Sequence, residues 1–191
     1  MKVLRKVKMK VDTFAVGDQI TVKLEGFGKF TATAQEVTEK GTLFFFDDCV
    51  AERPMNERNT NEGGFNASDL CKWMNTMLLA AFPAKIRNRM VQDASGNFVT
   101  LPTYGQVFGC DTDDEWDKEN IVIDPVQQLP LMANRKNRVC DCNGDWCWYW
   151  LQNPLKQECS SASFADVSYF GTANYRSASG SRGVRPAFLI A

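Results

Sequence analysis

The chain has 191 residues, with 22 Lys+Arg against 23 Asp+Glu, seven cysteines and no histidine. Without an imidazole, Ser-His-Asp and Cys-His nucleophile systems are excluded, as are His-ligated zinc and two-His iron sites; any general base is a carboxylate, Lys, Cys or Tyr. A net charge of −1 gives no electrostatic basis for binding nucleic acid or an anionic membrane, and no segment approaches the ~20 apolar residues of a membrane helix.

A hydrophobic fraction of 44% supports one sizeable core, so residues 1–191 read as a single domain. Residues 1–10 carry Lys2, Arg5, Lys6, Lys8 and Lys10 and no acid, which predicts a solvated edge strand. They lack the continuous apolar stretch of a secretory signal peptide, so synthesis in the cytoplasm is expected. Gln19–Leu24 alternates with period two, Glu25–Gly28 reads as a turn, and Phe30–Val37 as the return strand. Gly41–Phe46 is a continuous apolar run and predicts a buried strand. Residues 1–50 therefore predict an N-terminal antiparallel β meander.

A helical segment is expected over 66–91. Asn66 or Ser68 can cap it, and Leu70, Trp73, Met74, Met77, Leu78 and Ala81 recur on one apolar face until Pro83. Ala84–Val91 reads as a second short helix with a basic face. Asn66-Ala-Ser68 matches a glycosylation sequon but is read as a cap. Phe98–Leu101 predicts a strand. Asp111–Glu119 holds six acids and one Lys; it lacks the central Gly and terminal Glu of a calcium loop and reads as a solvated loop.

From 143 onward the composition shifts to Gly, Ser, Asn and aromatics. Short strands are expected at Trp146–Leu151, Phe164–Val167, Thr172–Tyr175 and Val184–Ile190. This composition suits an adaptable binding surface, and equally a loop-rich β region. The alternation of Trp146, Trp148 and Trp150 places three indoles on one face of a strand, which reads either as a core strand or as a partly exposed aromatic platform of Trp146 and Trp148; both readings hold together if Trp150 is buried and Trp146 lies near the rim. Arg185, among apolar residues before Pro186, is expected to be fixed structurally by carbonyls or a carboxylate.

Seven is an odd number of cysteines, so at least one thiol is free or intermolecular. Cys140, Cys142 and Cys147 cluster, but their spacing is not that of structural zinc, and a fourth ligand would be a distant Cys. A local disulfide or buried free thiols are expected, and no metal ligand is assigned. Cys-x-x-Cys, GxGxxG and Walker A patterns are absent from the sequence, so no catalytic residue and no cofactor is assigned.

Several stretches occur in order: Val16-Gly-Asp18, Phe27-Gly-Lys-Phe30, Arg53-Pro54, Ser68-Asp-Leu-x-Lys-Trp-Met-Asn75 followed by Ala81-Phe82, Arg135-Lys-Asn-Arg138, Trp148-Tyr-Trp-Leu-x-x-Pro154 and Gly183-Val-Arg-Pro-Ala-Phe188. Together they resemble a family of domains frequent in gut bacteria and their phages, related to the C-type lectin-like, formylglycine-generating-enzyme-type fold. The departure is Gln152-Asn153, where that family usually has Arg-Ser. The resemblance implies an α+β, C-type lectin-like fold with the N-terminal meander, one main amphipathic helix, and an irregular, loop-rich C-terminal β region over 143–191.

A subset of that family resembles the variable proteins of diversity-generating retroelements, in which template adenines are randomised. Trp, Met, Lys, Gln and Glu lie outside the reachable residue types, and none occurs from Ser160 to Ala191. The presumed fixed frame is Val167, Gly171, Ala173, Ala178, Gly183, Val184, Arg185 and Pro186. The presumed variable, ligand-contacting positions are Ser168, Tyr169, Phe170, Thr172, Asn174, Tyr175, Arg176, Ser177, Gly180 and Arg182. The resemblance thus implies a viral tail or surface adhesin on a virion or cell surface, binding a protein or glycan receptor on a host or target cell. Homo-oligomerisation is compatible with it; nucleic acid and membrane insertion are not expected. Two alternatives stand beside it: a formylglycine-generating-enzyme-like Cys/metal enzyme using Cys140, Cys142 and Cys147, or an invariant structural virion or surface module.

Overall fold

The computed structural model describes residues 13–191; the expected edge strand over 1–10 lies outside them. The chain is α+β, built mainly of antiparallel strands around one main helix. The meander forms as its periodicity predicts. Strands β1 (Gln19–Leu24), β2 (Gly28–Thr38) and β3 (Gly41–Phe46) pair antiparallel, with Leu24 opposite Gly28 across the first turn. Their sheet continues through the C-terminal strand β13 (Ala187–Ile190) to two short strands, β5 (Met90–Val91) and β6 (Val99–Thr100), that share β13 as partner.

The main helix runs over 69–81. Ser68 caps it by accepting the Cys71 N–H at 3.0 Å. Its middle, Met74–Leu78, is a π turn, whose wider winding shifts the phase of every following side chain. The regular 3.6-residue stripe therefore fails at one position. Met77 is 65% exposed, whereas Leu70, Met74, Leu78 and Ala81 are buried. At this turn the Asn75 amide donates to Val99 O at 2.8 Å, and its oxygen accepts from Phe98 N and Val99 N, tying the helix to β6. Phe82 then leaves the helix in extended backbone before Pro83. The second helix is shorter than expected, Ala84–Arg87, because Met90 and Val91 pair with β13 instead.

A second sheet carries β11 (Ala173–Ser177), β10 (Ser163–Val167), β9 (Tyr149–Pro154), β12 (Ser181–Val184) and β4 (Ala51–Pro54), in that order. All its pairings are antiparallel except β9 with β12. Two expected strands are each divided in two. Trp146–Leu151 breaks at Trp148: Asp145–Cys147 (β8) pairs with Cys140–Cys142 (β7) as a separate ribbon, and Tyr149 begins β9. Val184–Ile190 breaks at Arg185-Pro186, where the chain crosses from the second sheet to the first. The acidic segment also departs from a loop. Asp114 caps a short helix, Glu115–Asn120, by accepting Asp117 N–H. Asp117 is buried there, its carboxylate accepting from the Tyr104 hydroxyl.

The second sheet buries both faces along its strands β9 and β10. Trp150, Phe164 and Val184 join the main helix and the first sheet's Phe44, Phe46 and Phe188 in the larger core. Tyr149, Leu151, Ala165 and Val167 pack on the other side with Tyr104, Val107 and Ile121. This alternation along β9 and β10 is the period-two rule applied to a sheet covered twice. The phase shift at the π turn gives a direct test. Leu78→Ala is expected to lower the unfolding free energy by about 2–5 kcal/mol, while Met77→Lys shifts it by less than about 0.5 kcal/mol. Denaturant titration of both variants checks it; equal losses would place Met77 in the core.

Candidate functional site

The candidate surface begins at the β10–β11 hairpin. Ser168 closes its connection: the hydroxyl pairs with Thr172 Oγ1 at 2.6 Å and accepts Phe170 N–H at 3.2 Å. Ser168 is only 2% exposed, so it knots the turn rather than presenting a contact, a correction to its expected role. From outside, the Arg135 guanidinium donates to Phe170 O and Arg138 to Gly171 O, both from the 3-10 helix Arg135–Arg138. Gly171 has φ +72, and a Cβ there would lie 2.9 Å from Arg135 O, so glycine is required on two counts.

Above this knot an aromatic group forms. Tyr169 meets Trp148 edge-on at 5.5 Å and Phe170 at 4.3 Å. The Arg182 guanidinium lies 5.2 Å from the Trp148 ring centre. Phe170 is 57% exposed; Tyr169, Trp148 and Arg182 are half-buried. On edge strand β11, Tyr175 stacks on Trp116 at 4.8 Å with both rings open to solvent. Thr172, Asn174 and Arg176 are exposed, and Ser177 and Gly180 half-buried.

Trp146 is exposed and Trp150 buried, but they belong to strands of different sheets. The three indoles therefore share no single face. Trp148, at the break, is the one joined to Tyr169 and Arg182. Trp116 was not singled out from the sequence, because its segment read as a loop; Asp114, a residue type that favours the N-cap, is the signal that would have allowed a helix there.

Beneath the aromatic group, Asp166 is fully buried and pairs with Arg182 at 2.6 Å. Its second oxygen, Oδ1, has no hydrogen-bond partner. Burial pushes the carboxyl up to about 6, outweighing the opposing pull of Arg182 and Arg176.

A second cluster lies on the inner side of β7 and β8. Asn143-Gly144 forms the turn with positive φ at both residues, 56° and 92°, the two-residue hairpin geometry that Asn-Gly favours. The resulting register sets Cys140 opposite Cys147. Cys49 is held beside them by its N–H to Asp141 O at 2.8 Å. Its Sγ lies 3.1 Å from that of Cys140 and 3.4 Å from that of Cys147. All three are buried and none is in a disulfide. Cys142, expected in the same group, is outside this triangle, and Cys49, 91 residues away from Cys140, takes its place. Burial holds the Cys49 thiol above its ordinary range. Burial also opposes ionisation of Cys140, but the Cys147 and Cys49 thiols and the Arg185 charge together favour its thiolate.

Fold and surface thus define an α+β protein with an aromatic, Arg-bearing edge over a doubly buried sheet. The chain belongs to the family described as "Domain of unknown function (DUF6273)", whose model matches residues 40–191. No curated protein and no solved structure matches it. Among the described residues, no helix is long and apolar enough to cross a membrane.

The state of Asp166 has a measurable consequence. The native carboxyl, near 6, holds its proton more tightly than an unfolded one at 3.8, so the native state gains from low pH. That contribution is complete below 3.8 and is lost as pH rises through about 6. It amounts to up to about 3 kcal/mol. Asp166→Asn is expected to remove this slope from denaturant unfolding measured across the window; identical slopes in both proteins would disprove the assignment.

Proposed function

We propose that the chain is a ligand- or receptor-binding protein. In this reading a C-type lectin-like scaffold displays a diversified surface, as a viral tail or surface adhesin varied by a diversity-generating retroelement. One observation carries it: the division into frame and variable positions implied by the resemblance follows, with few exceptions, the division into buried and accessible residues. Val167, Gly171, Ala178, Gly183, Val184, Arg185 and Pro186 are buried, and Ala173 half-buried. Nine of the ten variable positions are exposed or half-buried, with Ser168 the exception.

The frame has steric reasons to stay fixed. A Cβ at Gly183 would lie 2.5 Å from Cys49 Sγ, 2.8 Å from Cys147 Sγ and 2.9 Å from Trp148 O. At Gly180, a variable position, its nearest neighbours would be the movable Arg176 side chain and Ser177 O, at 3.0 Å or more. Tyr169, Phe170, Tyr175, Arg176 and Arg182 are the contact residues of this reading, with Trp148 and Trp116 as fixed aromatic supports. Tyr, Trp and Arg dominate interface energetics once desolvated, and a rigid scaffold under adaptable positions is the general arrangement of recognition loops. The partner is a protein or glycan receptor.

The cysteine triangle favours a second reading, the Cys/metal enzyme. Its three thiols are buried, however, whereas the aromatic edge is open.

Deep sequencing of the encoding locus tests the first reading. Substitutions confined to nucleotides that lie opposite template adenines, in the codons of the nine accessible positions and with the frame constant, are expected; an invariant locus with no reverse transcriptase beside it overturns the reading. The steric argument has its own check. Gly183→Ala is expected to cost more than about 2 kcal/mol of stability, and Asn174→Ser less than about 0.5 kcal/mol, by thermal or denaturant unfolding.

A further inference from the structure

The triangle of Cys49, Cys140 and Cys147 is assembled by backbone, not by chance approach of flexible side chains. The Asn143-Gly144 turn fixes Cys140 against Cys147, and the Asp141 carbonyl fixes Cys49. All three Sγ atoms lie within 4.8 Å of one another. Thiolates sharing a zinc ion, at Zn–S of about 2.3 Å, stand about 3.8 Å apart. Two of the three pairs, at 3.1 and 3.4 Å, are shorter than that spacing by less than about 1 Å, and the third lies within 4.8 Å, so an ion at their centre asks for sulfur movements of about 1 Å or less.

Two further observations point the same way. Gly183 closes one side of the triangle by having no side chain, and any Cβ there would fill the space beside Cys49 and Cys147. On another side, a cavity of about 380 Å³ reaches Cys49 from solvent, past Asp48 and Asp141. The cavity is lined by two carboxylates, Asp48 and Asp141, and one ammonium, Lys29, so its charged lining is net acidic, and the buried Arg185 charge lies near Cys140, where it offsets part of the charge on a thiolate cluster. Ligand set, shell and entry path are the features a metal site requires.

We propose that Cys49, Cys140 and Cys147 form a site for a thiophilic d10 cation, zinc(II) or copper(I), that staples the segment before β4 to the β7–β8 ribbon. Three soft sulfur ligands select this class over hard cations. Binding displaces the protons of whichever thiols are still protonated and changes no oxidation state. The site is structural. It lies one residue from Trp148, through Cys147, and against Gly183, next to Arg182. It thereby stiffens the floor of the aromatic edge, and it stands whether or not that edge is diversified.

The test uses the full chain, reduced and stripped by chelator, then titrated anaerobically with zinc(II) alone or with copper(I) alone. About one equivalent is expected to survive dialysis for at least one of the two ions. It is expected to raise Tm and to protect Cys49, Cys140 and Cys147 from alkylation while Cys159 still reacts. X-ray absorption at the metal edge should show sulfur neighbours at about 2.3 Å. Which ion is retained separates the two sources. Cys49→Ser and Cys140→Ser should each abolish retention, and Cys159→Ser should keep it. Failure of the reduced wild-type chain to retain either ion overturns the proposal, independently of whether the cysteine variants fold. So does equal retention by Cys49→Ser, or a Cys49–Cys140 disulfide in protein isolated from a reducing cytosol.

Discussion

The guanidinium of Arg185 is a buried charge that ties both sheets together. It is buried, at the point where the chain leaves β12 for β13, and it donates to Phe46 O at 2.8 Å, Asn137 O at 3.1 Å and the Tyr149 hydroxyl at 3.1 Å. Phe46 belongs to the first sheet, Tyr149 to the second, and Asn137 to the 3-10 helix that grips the β10–β11 turn. Taking a cation out of water costs several kcal/mol unless its donors are satisfied. Here carbonyls, a phenol, the Tyr149 ring face at 5.2 Å and the nearby Cys140 do so. Pro186 completes the clasp, its carbonyl accepting Phe46 N–H at 2.9 Å. Lys has no planar fork to reach three acceptors at once, so this position discriminates between the two cations.

That clasp explains why the second sheet can be covered on both faces and still offer an accessible edge. β9 and β10 are sealed between two cores, so they have no freedom to adjust when β11 changes. β11 contributes few buried side chains of its own, and it is an outer strand whose residues face solvent. A surface of this kind gains its rigidity from what lies behind it. The Ser168 knot and the Arg135 and Arg138 contacts hold the turn through backbone atoms, so they make few demands on the side chains above.

Much of this was legible in the residues. The meander followed from alternation and a Gly-bearing turn, the helix from its cap and apolar stripe, and the structural fixing of Arg185 from its apolar surroundings. Elsewhere local pattern was overruled. The π turn made Met77 an exposed residue in an apparently perfect stripe, because periodicity assumes a constant 3.6 residues per turn. The tryptophan alternation suggested one strand, but Trp148 marks a change of sheet, which no local rule encodes. Cys49 looked isolated because its partners are distant in sequence and its placement depends on long-range backbone hydrogen bonds, its own N–H to Asp141 O and that of Val50 to Val184 O. By contrast, the pairing of Cys140 with Cys147 was readable: the two cysteines are symmetric about Asn143-Gly144, and an Asn-Gly hairpin sets that register.

The buried carboxyl of Asp166 bears on how much change the surface tolerates. A carboxylate with a normal affinity for protons, once stripped of its ion-pair partner, would remain charged and unpaired beneath β11. Asp166 already takes up a proton near pH 6. Replacing Arg182 therefore converts an electrostatic defect into a neutral acid, and neutralisation caps the penalty. Position 182 can change without a matching change at 166. The same property makes the face's charge a function of acidity: in mildly acidic surroundings the edge carries one negative charge fewer, and whatever it meets there meets a more cationic surface.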